Sequence, residues 1–171
     1  GNSFLWTTHR LRFPSAHRYR TSTGFGSMGH ASAGVVGAAL ASGEVLLFLH
    51  ADTKMPDDFR ENVWSTLDHG AIAGAFHLRI DDEHSSLRWI EWGANLRSHY
   101  LQMPYGDQGL FVRSELFHRV GGFPHWPLME DYELCRRLRR HGRILLASAA
   151  VSTSARRWRK LGLWRTTFIN Q

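Results

Sequence analysis

Two stretches far apart in the chain carry side chains suited to moving a group off a phosphate donor. The first is an apolar run that ends in a carboxylate, Val45-Leu46-Leu47-Phe48-Leu49-His50-Ala51-Asp52. A continuous apolar run of that length reads as a strand buried on both faces of a parallel sheet. Ligands of open α/β sheets sit beyond the carboxyl ends of such strands. Asp52 is therefore a candidate ligand for Mg2+ or Mn2+, which take oxygen ligands and bridge to phosphates. Capping of the next helix is the alternative for Asp52. His50 alternates with it and is either a second metal ligand or a wall of the site. The second stretch is Glu130-Asp131, which follows Pro127-Leu128-Met129 and opens a helix. On that helix Asp131 shares one face with Leu134, Cys135 and Leu138, so it points inward and can act as a general base. Glu130 is turned away by about 100°. Acids that only complement the helix dipole are the competing reading of the pair.

Two further segments offer binding groups. Ser154-Ala155-Arg156-Arg157-Trp158-Arg159-Lys160 sets four cations around an aromatic. Arg156 and Arg157 suit a diphosphate, with Trp158 as a pocket wall. The same cations suit nucleic acid, an anionic membrane surface or plain solvent. In Tyr105-Gly106-Asp107-Gln108-Gly109, the glycines mark a tight loop, and Asp107 and Gln108 are available to acceptor hydroxyls or to the turn itself. The sequence has no HExxH, CxxC or Walker loop. Cys135 is the single cysteine, so no internal disulfide forms, and it reads as a small buried apolar residue.

These groups must be positioned by a chain of 171 residues, 43% of them hydrophobic, which is enough for one domain with a real core. No apolar stretch approaches the ~20 residues that cross a bilayer. A cytoplasmic chain with at most a peripheral membrane contact is expected. Residues 1–33, rich in Arg, Ser, Thr, His and Gly, carry no sustained period and read as a weakly structured leader. Their lack of acids also resembles a transit peptide. Residues 34–171 read as the folded domain. Its expected elements are a small-residue helix over 31–41, the strand at 45–49 and a helix from Pro56 toward Leu67. A strand over 71–80 follows, then a helix over 85–100 in which Leu87, Ile90 and Ala94 recur with Trp89, Trp92 and Leu96 beside them. Next come a strand at 110–112, helices at 114–120 and 130–140, strands at 143–147 and 150–154, and a short amphipathic helix from Leu161. The alternation argues for an α/β sandwich. Charge is segregated along it. The net charge of +6 divides into +4 over residues 1–43, −8 over 44–133 and +10 over 134–171, so the middle suits cations or hydroxylated ligands and the tail suits an anion.

Taken in order, these motifs resemble family-2 glycosyltransferases, most nearly the bacterial radical-SAM/selenodomain-associated (arsenosugar-type) transferases. The likeness rests on Ala39 through Glu44, Phe48 through Asp52, Pro104 through Gly109, Val120-Gly121-Gly122-Phe123-Pro124, Met129-Glu130-Asp131 and Ser154 through Trp158. The resemblance implies a GT-A, Rossmann-like fold with a mostly parallel central sheet, a nucleotide-diphosphate sugar donor, a hydroxyl acceptor and a divalent metal. It makes Asp52 the surviving acid of a DxD-like motif with His50 in place of the first. Asp131 becomes the base for inverting attack, and Arg157-Trp158 the end of a QxxRW-like motif in which Ser154 replaces Gln. The family's first strands and nucleotide-holding loops have no counterpart in residues 1–36, so the expected fold is incomplete at its N-terminus. A catalytically incomplete version of the enzyme, or a basic module for nucleic acid or membrane, are the competing readings, with no nucleic-acid partner expected from the leading one.

Overall fold

A computed structural model describes residues 45–50, 52–124, 129–156 and 158. The leader, the helix expected over 31–41 and the one expected from Leu161 lie outside the described residues. Strand β1 (Val45–Phe48) is followed by β2 (Thr53–Lys54) and helix α1 (Phe59–Asp68). Strand β3 (Ala73–Asp81) leads to helix α2 (Ser85–Leu101), a 3-10 turn (Gly106–Gln108) and β4 (Leu110–Arg113). Helices α3 (Ser114–Arg119) and α4 (Glu130–Leu138) precede β5 (Ile144–Ser154). Two strands were expected where β5 runs unbroken. A register shift explains the apparent gap: Ala75 pairs with Leu146 and His77 with Ala150, so a bulge absorbs the intervening residues.

The five strands lie in the order β1-β4-β3-β5-β2. This corrects the expected sheet, because only β3–β5 is a parallel pairing, while β1–β4, β3–β4 and β2–β5 are antiparallel. The cause lies between α2 and β4. Helix α2 crosses back to the edge where β5 starts, and there Gln102, in the left-handed region at φ 53°, accepts the Ile144 N–H through Oε1 at 2.9 Å. Pro104 cannot extend the helix, and the chain leaves it through residues 102–105, which form neither helix nor strand, and the 3-10 turn. Strand β4 then enters antiparallel to both β3 and β1. Since β4 is antiparallel to both neighbours, β1, β3 and β5 all point the same way. Strand β1 ends where β4 begins, while β3 and β5 continue past it to Asp81 and Ser154, beside β2.

Alternation fixes the layers. On β1, Val45 and Leu47 join Val63 and Leu67 of α1, whereas Phe48 faces α4 residues Leu134 and Leu138. The strand is thus covered on both faces, as its apolar run requires. Helix α2 packs through Leu87, Ile90 and Ala94 on Leu78 and Ile80, the side its periodicity indicates. Strand β3 tolerates no side chain at Gly74, where a Cβ would lie 2.4 Å from the Phe111 ring and 2.8 Å from the Leu145 carbonyl oxygen. One buried polar side chain also ties layers together. Asn62 of α1 donates to the Asp58 carbonyl and accepts from Ser148 of β5, which fastens helix to sheet. No helix among the described residues is long and apolar enough to cross a membrane.

Candidate functional site

The candidate residues that come together lie past the carboxyl end of β1, over the edge where β4 begins. After Phe48 the chain passes over that edge, carrying His50 above the 3-10 turn. It then reaches Asp52, whose carbonyl accepts the Ser154 N–H at 3.2 Å. Helix α4 starts at the same edge. Asp131 is half-buried ahead of the buried Leu134, Cys135 and Leu138, the inward face that its spacing indicates. Its Oδ2 accepts the Gly106 N–H at 2.8 Å and its Oδ1 accepts the Tyr132 N–H at 2.8 Å. Two main-chain donors thus fix the carboxylate while each oxygen keeps a further acceptor direction.

Gly106 is where the two motifs meet. A Cβ on it would lie 2.8 Å from His50 Nε2 and 3.7 Å from Asp131 Oδ2, so the imidazole and the carboxylate flank one small space that only glycine leaves open. Neither residue type nor spacing reveals this proximity in the sequence. It arises because the chain after β1 and the turn before β4 meet over the same edge. Tyr105, the residue before, also belongs here. Its ring carries the Arg97 guanidinium at 3.6 Å from the centroid. Burial raises the phenol above its ordinary value, Arg97 opposes that, and the charges of Asp131 and Asp107 reinforce it. Tyr105 therefore stays a hydrogen-bond donor at neutral pH. Cys135 packs beneath, its thiol donating to the Pro104 carbonyl at 3.4 Å and raised far above the usual range by burial.

The remaining expectations divide. Gln108 does not face an acceptor. It is fully buried, its Oε1 accepting from Ser98 Oγ at 2.7 Å and from the Tyr105 N–H at 3.2 Å, its Nε2 donating to the Phe76 carbonyl at 3.2 Å. Asn95 of α2 completes this bracket by bonding both main-chain groups of Leu78. Gln108 is the brace that holds the Gly106 turn against β3 and α2. Asp107 beside it is half-buried. Trp158 is likewise not a pocket wall, because its indole is buried with Leu78, Ile80, Leu87 and Ala155. Burial of an amphipathic side chain is a tertiary outcome that sequence spacing does not announce. Arg156 is exposed at the carboxyl edge just past β5, its N–H bonded to Ser154 Oγ. Glu130 is half-buried at the first position of α4. Arg157 lies outside the described residues.

Among the described residues no three His, Cys, Asp or Glu side chains form a group that could hold a metal ion. A divalent ion at Asp52 would thus have one or two protein ligands and take its remaining oxygens from substrate and water, the mode usual for Mg2+. An open hollow of about 1140 Å3 lies to the side, floored by Arg79, Ala150 and Ser152 and rimmed by Lys54; neither His50 nor Asp131 lines it. The convergence at Gly106 marks the site better than that volume does, because it joins titratable groups from separate elements. Neither a family model, nor a curated protein, nor a solved structure matches this chain.

Proposed function

We propose that this domain transfers a sugar from a nucleotide-diphosphate donor to an acceptor hydroxyl, in the manner of the family-2 glycosyltransferases that its ordered motifs resemble. The observation that carries the reading is the meeting of His50, Gly106 and Asp131, with Asp52 two residues along the chain from His50. In the transfer the acceptor oxygen forms its bond to the anomeric carbon and gives its proton to Asp131. The bond from that carbon to the diphosphate breaks, and its electron pair leaves with the diphosphate. Gly106 holds the carboxylate at a fixed angle through its N–H, and its missing side chain lets the His50 ring close in beside Asp131. Arg156 supplies positive charge for the departing diphosphate. When bound at Asp52, a divalent cation neutralises part of the same charge. Donor and acceptor identity would be read by residues around this edge, with Asp107 and Tyr105 next to the acceptor space.

The test is calorimetry with UDP and Mn2+ combined with turnover of UDP-sugars, on the parent chain, Asp52→Ala and Asp131→Asn. The expected pattern is weakened UDP binding in Asp52→Ala, and retained binding with lost turnover in Asp131→Asn. Equal turnover in all three removes the assignment. Binding without turnover in the parent would identify a catalytically incomplete member of the same fold.

A further inference from the structure

Helix α2 has a second face that the sheet does not use. Trp89, Trp92, Leu96 and Tyr100 are 73, 59, 39 and 71% exposed, and their spacing of three, four and four residues lays them along one stripe. Trp89 and Trp92 already touch edge to face, with centroids 6.2 Å apart. An exposed aromatic patch of this extent marks an interaction surface. The charges of α2 are turned off it. Arg88 is bonded to the Ile80 and Asp82 carbonyls and paired with Glu91, and Glu91 in turn accepts the Ile80 N–H. Arg97 lies over Tyr105 and donates to the Met103 carbonyl. Among the α2 residues beside the stripe, the remaining titratable one is His99, edge-on to Tyr100. Binding at an anionic lipid surface favours aromatics flanked by cations. A face emptied of charge, on a chain of net charge +6, instead suits contact with a like copy, where repulsion is least.

The spacing is also self-complementary. In two antiparallel copies of α2 related by a two-fold between residues 94 and 95, Trp89 lies opposite Tyr100 of the other copy and Leu96 opposite Gly93. Gly93 is the one gap in the stripe, and a Cβ on it would meet nothing within 4 Å, which leaves a hole that a leucine knob can fill. Aromatic side chains of about 150–250 Å2 each, exposed as these are, give on the order of 400–600 Å2 per copy. Doubled, that approaches the lower bound of ~1,200 Å2 for specific interfaces, so the dimer should depend on concentration. The geometry points to the Trp89–Tyr100 stripe as an isologous homodimer interface whose helices cross antiparallel where Leu96 meets Gly93.

Sedimentation equilibrium of the full chain tests this. The parent should move from 19.6 kDa toward twice that mass as concentration rises. Trp92→Ala and Leu96→Arg should weaken association by roughly tenfold or more, as expected for truncating a buried anchor or burying a charge, with unchanged circular dichroism. The double variant Gly93→Cys with Leu96→Cys should give a covalent dimer on mild oxidation while Gly93→Cys alone does not. The native Cys135 is buried and silent in this assay. The oxidation assay also decides the matter if Leu96→Arg fails to fold. A parent that is monomeric at all concentrations, variants that associate as tightly as the parent, or a monomer that instead co-sediments with phosphatidylserine vesicles through Trp92, would each overturn the proposal.

Discussion

Two of the three carboxylates in the first turn of α4 sit in opposite surroundings. Glu133 is nearly buried, and Arg136 and Arg137 grip it at 2.6, 3.0 and 2.9 Å. Those bonds push its pKa down from the ordinary 4.5 to about 2. Arg137 then reaches the Val120 carbonyl, so this acid ties α4 to the turn after α3. Two residues earlier, Asp131 is held only by main-chain N–H groups, and among the described residues no Lys or Arg pairs with it. A carboxylate saturated by guanidinium groups fastens elements together. One oriented by backbone alone keeps acceptor capacity for something that arrives from outside.

Exchanging the two roles by mutation would break this contrast. The largest effect is expected from Asp131→Asn, which should lower sugar transfer by ~10²–10⁴-fold, the usual contribution of a general base, with little change in melting temperature. Glu133→Gln should do the reverse, lowering the melting temperature while the folded fraction turns over as the parent does. Beneath the site, Gln108→Leu should cost about 2–3 kcal/mol in denaturant unfolding, because it strands the buried Phe76 carbonyl and Tyr105 N–H. A smaller cost, under ~1 kcal/mol, is expected for Gly106→Ala, since the group in the way is the tip of the His50 ring. Its turnover should nonetheless fall, as the methyl pushes the His50 ring away from Asp131. The mildest test is pH. Glu133 is more acidic folded than unfolded, so its contribution is complete above the ordinary value of 4.5 and is lost as pH falls toward about 2. Stability should therefore decline with acid across that window, and Glu133→Gln should flatten the decline.

How far the sequence speaks for itself differs between these regions. The buried strand at Val45–Phe48, the core faces of α2 and α4 and the inward position of Asp131 follow from periods of two and 3.6 residues, because local geometry decides them. The direction of β4 does not, since it is set by the tertiary path from Gln102 through the Gly106 turn, and Pro104 says only that the helix ends. The two-residue β2 exists only because Thr53 and Lys54 reach Thr153 and Ser152 across the sheet. His50 and Asp131 were legible as separate candidates. Their meeting at Gly106 is set by the crossing of two loops, which no local pattern encodes.

A double-mutant cycle on sugar transfer, with His50→Ala, Asp131→Asn and both together, tests the shared site most directly. If the imidazole and carboxylate serve one acceptor, the double variant should turn over no more slowly than the worse single variant. Losses that multiply in full would show that the two side chains act independently and contradict a common site at Gly106.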